Sequence, residues 1–149
     1  MKVMKGKEVV PNIYIDVDGV LLTNYGQPAP YAKEFLAYLL EHYPDTTYWL
    51  TAHCDGDAST PLRDIGFLFD KETIELMKKI KPTKWGTAKT EAIDFNKPFL
   101  WFDDICFYFE KADLQKHGVV KNWIEVDLVE YPNQLRDFTF DFPRPVSQK

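Results

Sequence analysis

The sequence predicts an α/β domain, a mostly parallel sheet with helices on both faces. Three observations predict it. Short apolar runs rich in β-branched and aromatic residues, IYI at 13–15, TTYWL at 46–50 and FLWF at 99–102, read as buried strands. Stretches with apolar residues at helical spacing lie between them. Strands that alternate with helices in this way need a largely parallel sheet covered by helices.

The elements follow in order. Residues 13–15 form the first strand. Residues 30–43 are the first helix, with Phe35, Leu36, Leu39, Leu40 and Tyr43 at helical spacing; Pro30 suits its first turn and Pro44 ends it. Residues 46–50 are the second strand. Ser59-Thr60-Pro61 reads as a cap followed by a proline at a helix start, and Gly66 closes that short helix. Asp70 caps a helix at 71–80, with Ile74, Met77 and Ile80 on one face. Residues 87–94 form a third short helix capped by Thr87. After the strand at 99–102 come a helix at 110–116, stopped by Gly118, and a last strand at 123–126. The tail, 131–149, is aromatic but broken by Pro132, Pro143 and Pro145, and is expected to pack over the body.

The 149 residues amount to one domain, without repeat or linker, with residues 1–10 and 147–149 expected to be loosely ordered. A chain of this size buries roughly 68–70% of its unfolded surface, so one core suffices without staples. The composition agrees, at 45% apolar and 15% aromatic, and leaves no room for long disorder. A net charge of −5 argues against non-specific attachment to nucleic acid or acidic membranes. Cys54 and Cys106 make no disulfide framework and read as reduced thiols of a cytoplasmic protein. Lys2, Lys5 and Lys7 are not followed by an apolar stretch, so no signal peptide is expected, and no run is long enough to span a membrane.

The chemistry lies at the strand ends. Residues 13–22 read IYIDVDGVLL, which sets Asp16 and Asp18 in an otherwise apolar run. A buried carboxylate is costly unless it is paired, neutralised or bound to metal. The second strand ends in Thr51, followed by Ala52-His53-Cys54-Asp55, and FLWF ends in Asp103-Asp104. In open α/β sheets the ligand site lies beyond the carboxyl ends of the strands. Two acidic pairs and a hydroxyl delivered to that one edge point to a single site. Clustered carboxylates raise one another's pKa unless a cation intervenes, and an oxygen-only set suits Mg²⁺.

A cation for an anionic substrate is also present. Lys81, Lys84 and Lys89 lie between Thr51 and Asp103. Lys89 falls in the first turn of the helix capped by Thr87, where a lysine opposes the macrodipole. It is well placed if an anion sits at that N-terminus. Lys84 remains the alternative.

DVDGV, a strand ending in Thr, a lysine, and an apolar strand ending in Asp-Asp occur here in that order, from Ile13 to Asp104. This order resembles the haloacid dehalogenase superfamily, whose pattern is DxDx[T/V], a Thr or Ser, a Lys and a terminal acidic pair. The resemblance implies a three-layer, Rossmann-like fold. It makes Asp16 the nucleophile that forms an aspartyl-phosphate, and Asp18 the general acid/base. Gly19 would permit the bend that this spacing needs. Mg²⁺ would be held by Asp16, the backbone carbonyl of Asp18, and Asp103, with Asp104 a further ligand or the partner of one. Thr51 and Lys89 would hold the phosphoryl oxygens. The acid at position 18 marks phosphatases of the family, because its dehalogenases lack it. The gaps from Asp18 to Thr51 and from Thr51 to Lys89 hold no cap domain, so the site should be open. Open sites in the family take bulky or macromolecular phosphates, or borrow a lid from another subunit of an oligomer.

Other features have plainer readings. His53, Cys54 and Asp57 read as a specificity loop, with Cys54 partly exposed. His42 and His117 read as satisfied or solvated at helix ends. Phe107, Tyr108 and Phe109 read as core rather than a base-stacking platform. Two competing functions stand beside the phosphatase. One is a non-catalytic Mg²⁺- and phosphate-binding module that docks a partner through its aromatic tail. The other is a receiver-like domain, disfavoured because the double acid follows the lysine.

Overall fold

The computed structural model describes residues 9–148; the expectations for residues 1–8 and 149 lie outside the described residues. In chain order the elements are β1 (Asn12–Ile15), α1 (Ala32–His42), β2 (Thr47–Trp49), α2 (Ser59–Ile65), α3 (Lys71–Met77), β3 (Phe99–Asp103), α4 (Tyr108–Lys116), β4 (Trp123–Glu125) and α5 (Gln134–Phe140). The four strands form one all-parallel sheet in the order β2-β1-β3-β4. Sheet and helices together are compatible with a Rossmann-like fold. Beyond the outer edge of β2, Tyr48 makes an isolated parallel bridge to Lys81.

Strand residues alternate between two apolar clusters, as a period of two requires. Ile13, Ile15, Leu100 and Phe102 pack with Phe35, Leu36 and Leu39 of α1 and Leu135 of α5. Tyr14, Phe99 and Trp101 pack instead with Ile93, Leu114 of α4 and Val119. β1 and β3 are therefore buried on both sides, which is why they read as continuous apolar runs.

Several boundaries differ from expectation for local reasons. α1 begins at Ala32 rather than at Pro30, because Tyr31 before it adopts a left-handed φ of 65°. That conformation strains a side chain with a Cβ; the Arg136 guanidinium lies 5.3 Å from the Tyr31 ring centroid. Ser59 is the first residue of α2 rather than its cap. Its N–H and hydroxyl donate to Asp57 Oδ1 at 2.9 and 2.7 Å, so Asp57 does the work expected of Ser59. Gly66 keeps right-handed helical angles and starts a 3₁₀ turn, Gly66–Leu68. Asp70 caps α3 as expected, accepting the Thr73 N–H at 2.8 Å, but the helix stops at Met77.

The helix expected at 87–94 is a single 3₁₀ turn, Lys89–Ala92. The tail expected to be broken contains α5. Its prolines flank the helix rather than interrupt it, and Leu135 is fully buried. After α5 the chain is tied down by side chains: Asn122 exchanges hydrogen bonds with the backbone of Val146 at 3.1 and 2.6 Å, and Gln148 Nε2 donates to Phe95 O at 2.8 Å. Among the described residues, no helix is long and apolar enough to cross a membrane.

Candidate active site

Register brings the first two carboxylates together. Ile15 pairs with Phe102, so Asp16 and Asp103 are the next residues along adjacent parallel strands. The Asp16 N–H donates to Phe102 O at 3.1 Å. From β1 the sheet grows one way to β2 and the other way to β3, so this edge is the topological switch point at which α/β sheets bind ligands. Asp16 is 6% exposed and Asp103 1%. One carboxylate oxygen from each of Asp16, Asp103 and Asp104 lies within 4.8 Å of the others.

Neighbours fix each carboxylate. Asp16 Oδ1 accepts the Val17 N–H at 2.7 Å. Asp103 Oδ2 accepts the indole N–H of Trp101 at 3.1 Å, and Oδ1 accepts the Ile105 N–H at 3.2 Å. Trp101 can reach because residues two apart share a face of β3. The Asp104 carboxylate lies against Gly19, where a Cβ would collide with it, and Gly19 takes a φ of +83°. Glycine is needed there for both conformation and space.

The counter-charge is Lys89. Its Nζ lies 2.6 Å from Asp103 Oδ2 and 3.1 Å from Asp16 Oδ2. Burial, then the Asp16 charge, push the Asp103 carboxyl up to about 9 despite the lysine. Burial pulls the Lys89 ammonium down, but the Asp16 and Asp103 charges outweigh it and hold its pKa above the usual value. The lysine is therefore charged, and Asp103 is the group that resists ionising.

The route by which Lys89 arrives differs from expectation. The N–H groups before and at the start of its 3₁₀ turn are already taken. Glu91 accepts those of Gly86, Thr87 and Ala88 at 2.8, 3.3 and 3.1 Å. Glu110 accepts those of Lys89 and Phe107 at 2.7 and 3.1 Å. Two glutamates of the chain occupy the place assigned to an external anion, and Lys89 enters the site through its side chain alone. Lys84 stands apart, 77% exposed and 3.9 Å from Asp55.

Asp18 and Thr51 are not joined to the carboxylate cluster. The Asp18 side chain is 70% exposed, and its Oδ2 lies 3.0 Å from His53 Nε2. The other ring nitrogen, Nδ1, lies 3.0 Å from Asp64 Oδ2. Burial pulls the His53 pKa down, but the hydrogen bonds to Asp64 and Asp18 leave it above the usual value. Thr51 is fully buried, and its hydroxyl accepts the His53 N–H at 3.2 Å.

Cys54 is buried rather than partly exposed, its thiol directed at the carbonyls of Thr83 and Asp57. Burial pushes the Cys106 thiol up to about 12, which makes it a poor nucleophile. His42 Nδ1 lies 3.0 Å from Tyr38 O, and His117 stacks on Phe95 at 3.9 Å, so both have plain structural partners. Phe107 and Tyr108 are exposed rather than core, because the buried positions of α4 are Glu110 and Leu114.

Sequence reasoning missed Trp101, Glu91, Glu110 and Asp64. The Trp101–Asp103 spacing on one strand was a readable signal. Nothing local announced Asp64, which meets His53 only because α2 folds back over the loop after β2.

An oxygen-only set of three close carboxylates, two of them buried, with one lysine fits a hard divalent cation, whose charge would offset the burial and the Asp16 repulsion that keep Asp103 from ionising. No protein-family model, curated protein or solved structure matches the chain.

Proposed function

We propose that the chain is a Mg²⁺-dependent phosphomonoester hydrolase that works through an aspartyl-phosphate, a capless, three-layer member of the haloacid dehalogenase superfamily. The observation that carries the reading is the Asp16–Asp103–Asp104 cluster bridged by Lys89 at the switch point of the sheet. The strand order supports it, since the proposed nucleophile ends a central strand flanked by the strands that lead to Thr51 and Asp103.

In this reading the Asp16 carboxylate attacks phosphorus in line, and the bond to the leaving oxygen breaks as Asp18 protonates that oxygen. Asp18 then takes a proton from the water that attacks the aspartyl-phosphate, which frees phosphate and restores Asp16. The Lys89 ammonium, already against Asp16, holds phosphoryl oxygens. Thr51 keeps its own O–H to donate, because its contact with His53 uses only a lone pair. Asp16, Asp103 and Asp104 would hold Mg²⁺, which when bound neutralises phosphate charge so that one anion can approach another. The substrate is a phosphate ester, bulky or macromolecular in keeping with an uncapped site.

Hydrolysis of 4-nitrophenyl phosphate, wild type beside Asp16→Asn, tests the reading. We expect turnover with Mg²⁺, loss with EDTA, recovery on adding Mg²⁺, and a fall of at least about 10⁴-fold in kcat for Asp16→Asn. Activity indifferent to EDTA removes the metal from the scheme. A variant as active as the wild type removes Asp16.

A further inference from the structure

A single side chain contact joins the loop after β2 to the proposed general acid. His53 stands between two carboxylates, 3.0 Å from Asp18 through Nε2 and 3.0 Å from Asp64 through Nδ1. Asp18 is otherwise an exposed side chain, at an isolated backbone bridge to Leu22, and an exposed side chain exchanges rotamers rapidly unless it is held. His53 and Asp64 are partly buried. The His53 backbone is also fixed, since its N–H donates to the buried Thr51 hydroxyl. Asp64 lies in α2, so the chain Asp64–His53–Asp18 ties an exposed group to a regular element.

We propose that His53, oriented by Asp64, is the positioning residue of Asp18: it holds one carboxyl oxygen so that the other faces the leaving group. This inference rests on the phosphohydrolase reading and assigns within it a role to residues that reading leaves unused. A general acid acts only from hydrogen-bonding reach of the atom it protonates, so a wandering Asp18 loses most of its effect. A group held at the base's far side by a third residue is the same logic that orders nucleophile, base and orienter elsewhere. No bond to phosphorus is made by His53 or Asp64.

The test separates positioning from folding by leaving group. A nitrophenolate departs without help, whereas an alkoxide needs its proton. Wild type, His53→Ala, His53→Gln and Asp64→Asn are compared on 4-nitrophenyl phosphate and on a simple alkyl phosphate, with Mg²⁺. For His53→Ala we expect kcat to fall about 10²-fold or more on the alkyl ester and only a fewfold on the aryl ester, with KM little changed on both. Gln carries an amide in place of the imidazole Nε2 and should restore part of the loss. Asp64→Asn should show the same asymmetry, more weakly. As a readout besides activity, the ring ¹⁵N resonances of His53 should move in Asp18→Asn and in Asp64→Asn. Equal losses on the two esters, no loss on either, or unmoved resonances overturn the inference and leave the phosphohydrolase reading standing. A wild type that hydrolyses neither ester overturns that reading, and the role of His53 with it.

Discussion

Phe102 and Asp103 are neighbours in β3 and both are buried, yet they face opposite sides of the sheet and opposite energetic problems. On the side of α1 and α5, Phe102 meets three rings, Phe35, Phe138 and Phe142, at centroid distances of 5.3, 5.1 and 5.7 Å. Nothing there needs compensation, and burial of such a ring is favourable throughout. On the other side Asp103 meets Asp16, Asp104 and Lys89. Taking these charges out of water costs several kcal/mol per ion, of order, before any is repaid by pairing. One face of the strand holds the fold together; the other gives up stability to hold the charges on which the proposed chemistry would depend.

Substitutions on each face should separate these roles. The largest combined effect is expected from Lys89→Met. Without the lysine the buried Asp16 carboxylate loses its counter-charge, so metal-free protein should lose about 3–5 kcal/mol in denaturant unfolding. Turnover should fall about 10²–10³-fold, as when one donor to a developing oxyanion is lost. A Lys89→Met variant as stable and active as the wild type would show that the charged face does not depend on its counter-ion. Phe102→Ala should cost about 3–5 kcal/mol on the same measure, but kcat per folded molecule should stay within a fewfold. A large fall in kcat there would mean that the aromatic side also shapes the site.

The last expectation is a slope with pH. Because Asp103 is pushed up to about 9 in the fold, the folded protein keeps a proton that the unfolded chain releases in the ordinary carboxylate range. Stability of the metal-free protein is then complete below that range and declines as pH rises toward about 9. Thermal unfolding in EDTA from pH 5 upward reads this slope, and Mg²⁺ should flatten it. A stability that climbs with pH in EDTA would place the proton elsewhere.

Much of this was legible in the sequence because it depends on short-range pattern. The apolar runs located three of the four strands, and the first polar residues after two of them, Asp16 and Asp103, marked the edge where the carboxylates gather. α5 was hidden because Pro132, Pro143 and Pro145 dominate a tail in which Leu135 alone is fully buried, with Phe138 and Phe142 packed against the core beside it. The helix-dipole argument for Lys89 does not apply, since the amides there belong to Glu91 and Glu110. Lys89 reaches the cluster through its side chain, a contact no local rule predicts. Phe107 and Tyr108 read as core in the sequence because composition alone does not say which side of a short helix is covered.

By itself the sequence determined where strands and helices alternate and which polar groups end each strand, because alternation, capping and apolar periodicity are properties of neighbouring residues. Only the tertiary structure decided that Ile15 pairs with Phe102, so that Asp16 stands beside Asp103. It alone decided that Lys89 bridges the two, and that Asp64 reaches across to His53 and through it to Asp18. Those contacts depend on register and on the packing of α2 and the Lys89 turn against the sheet, which no stretch of chain specifies alone.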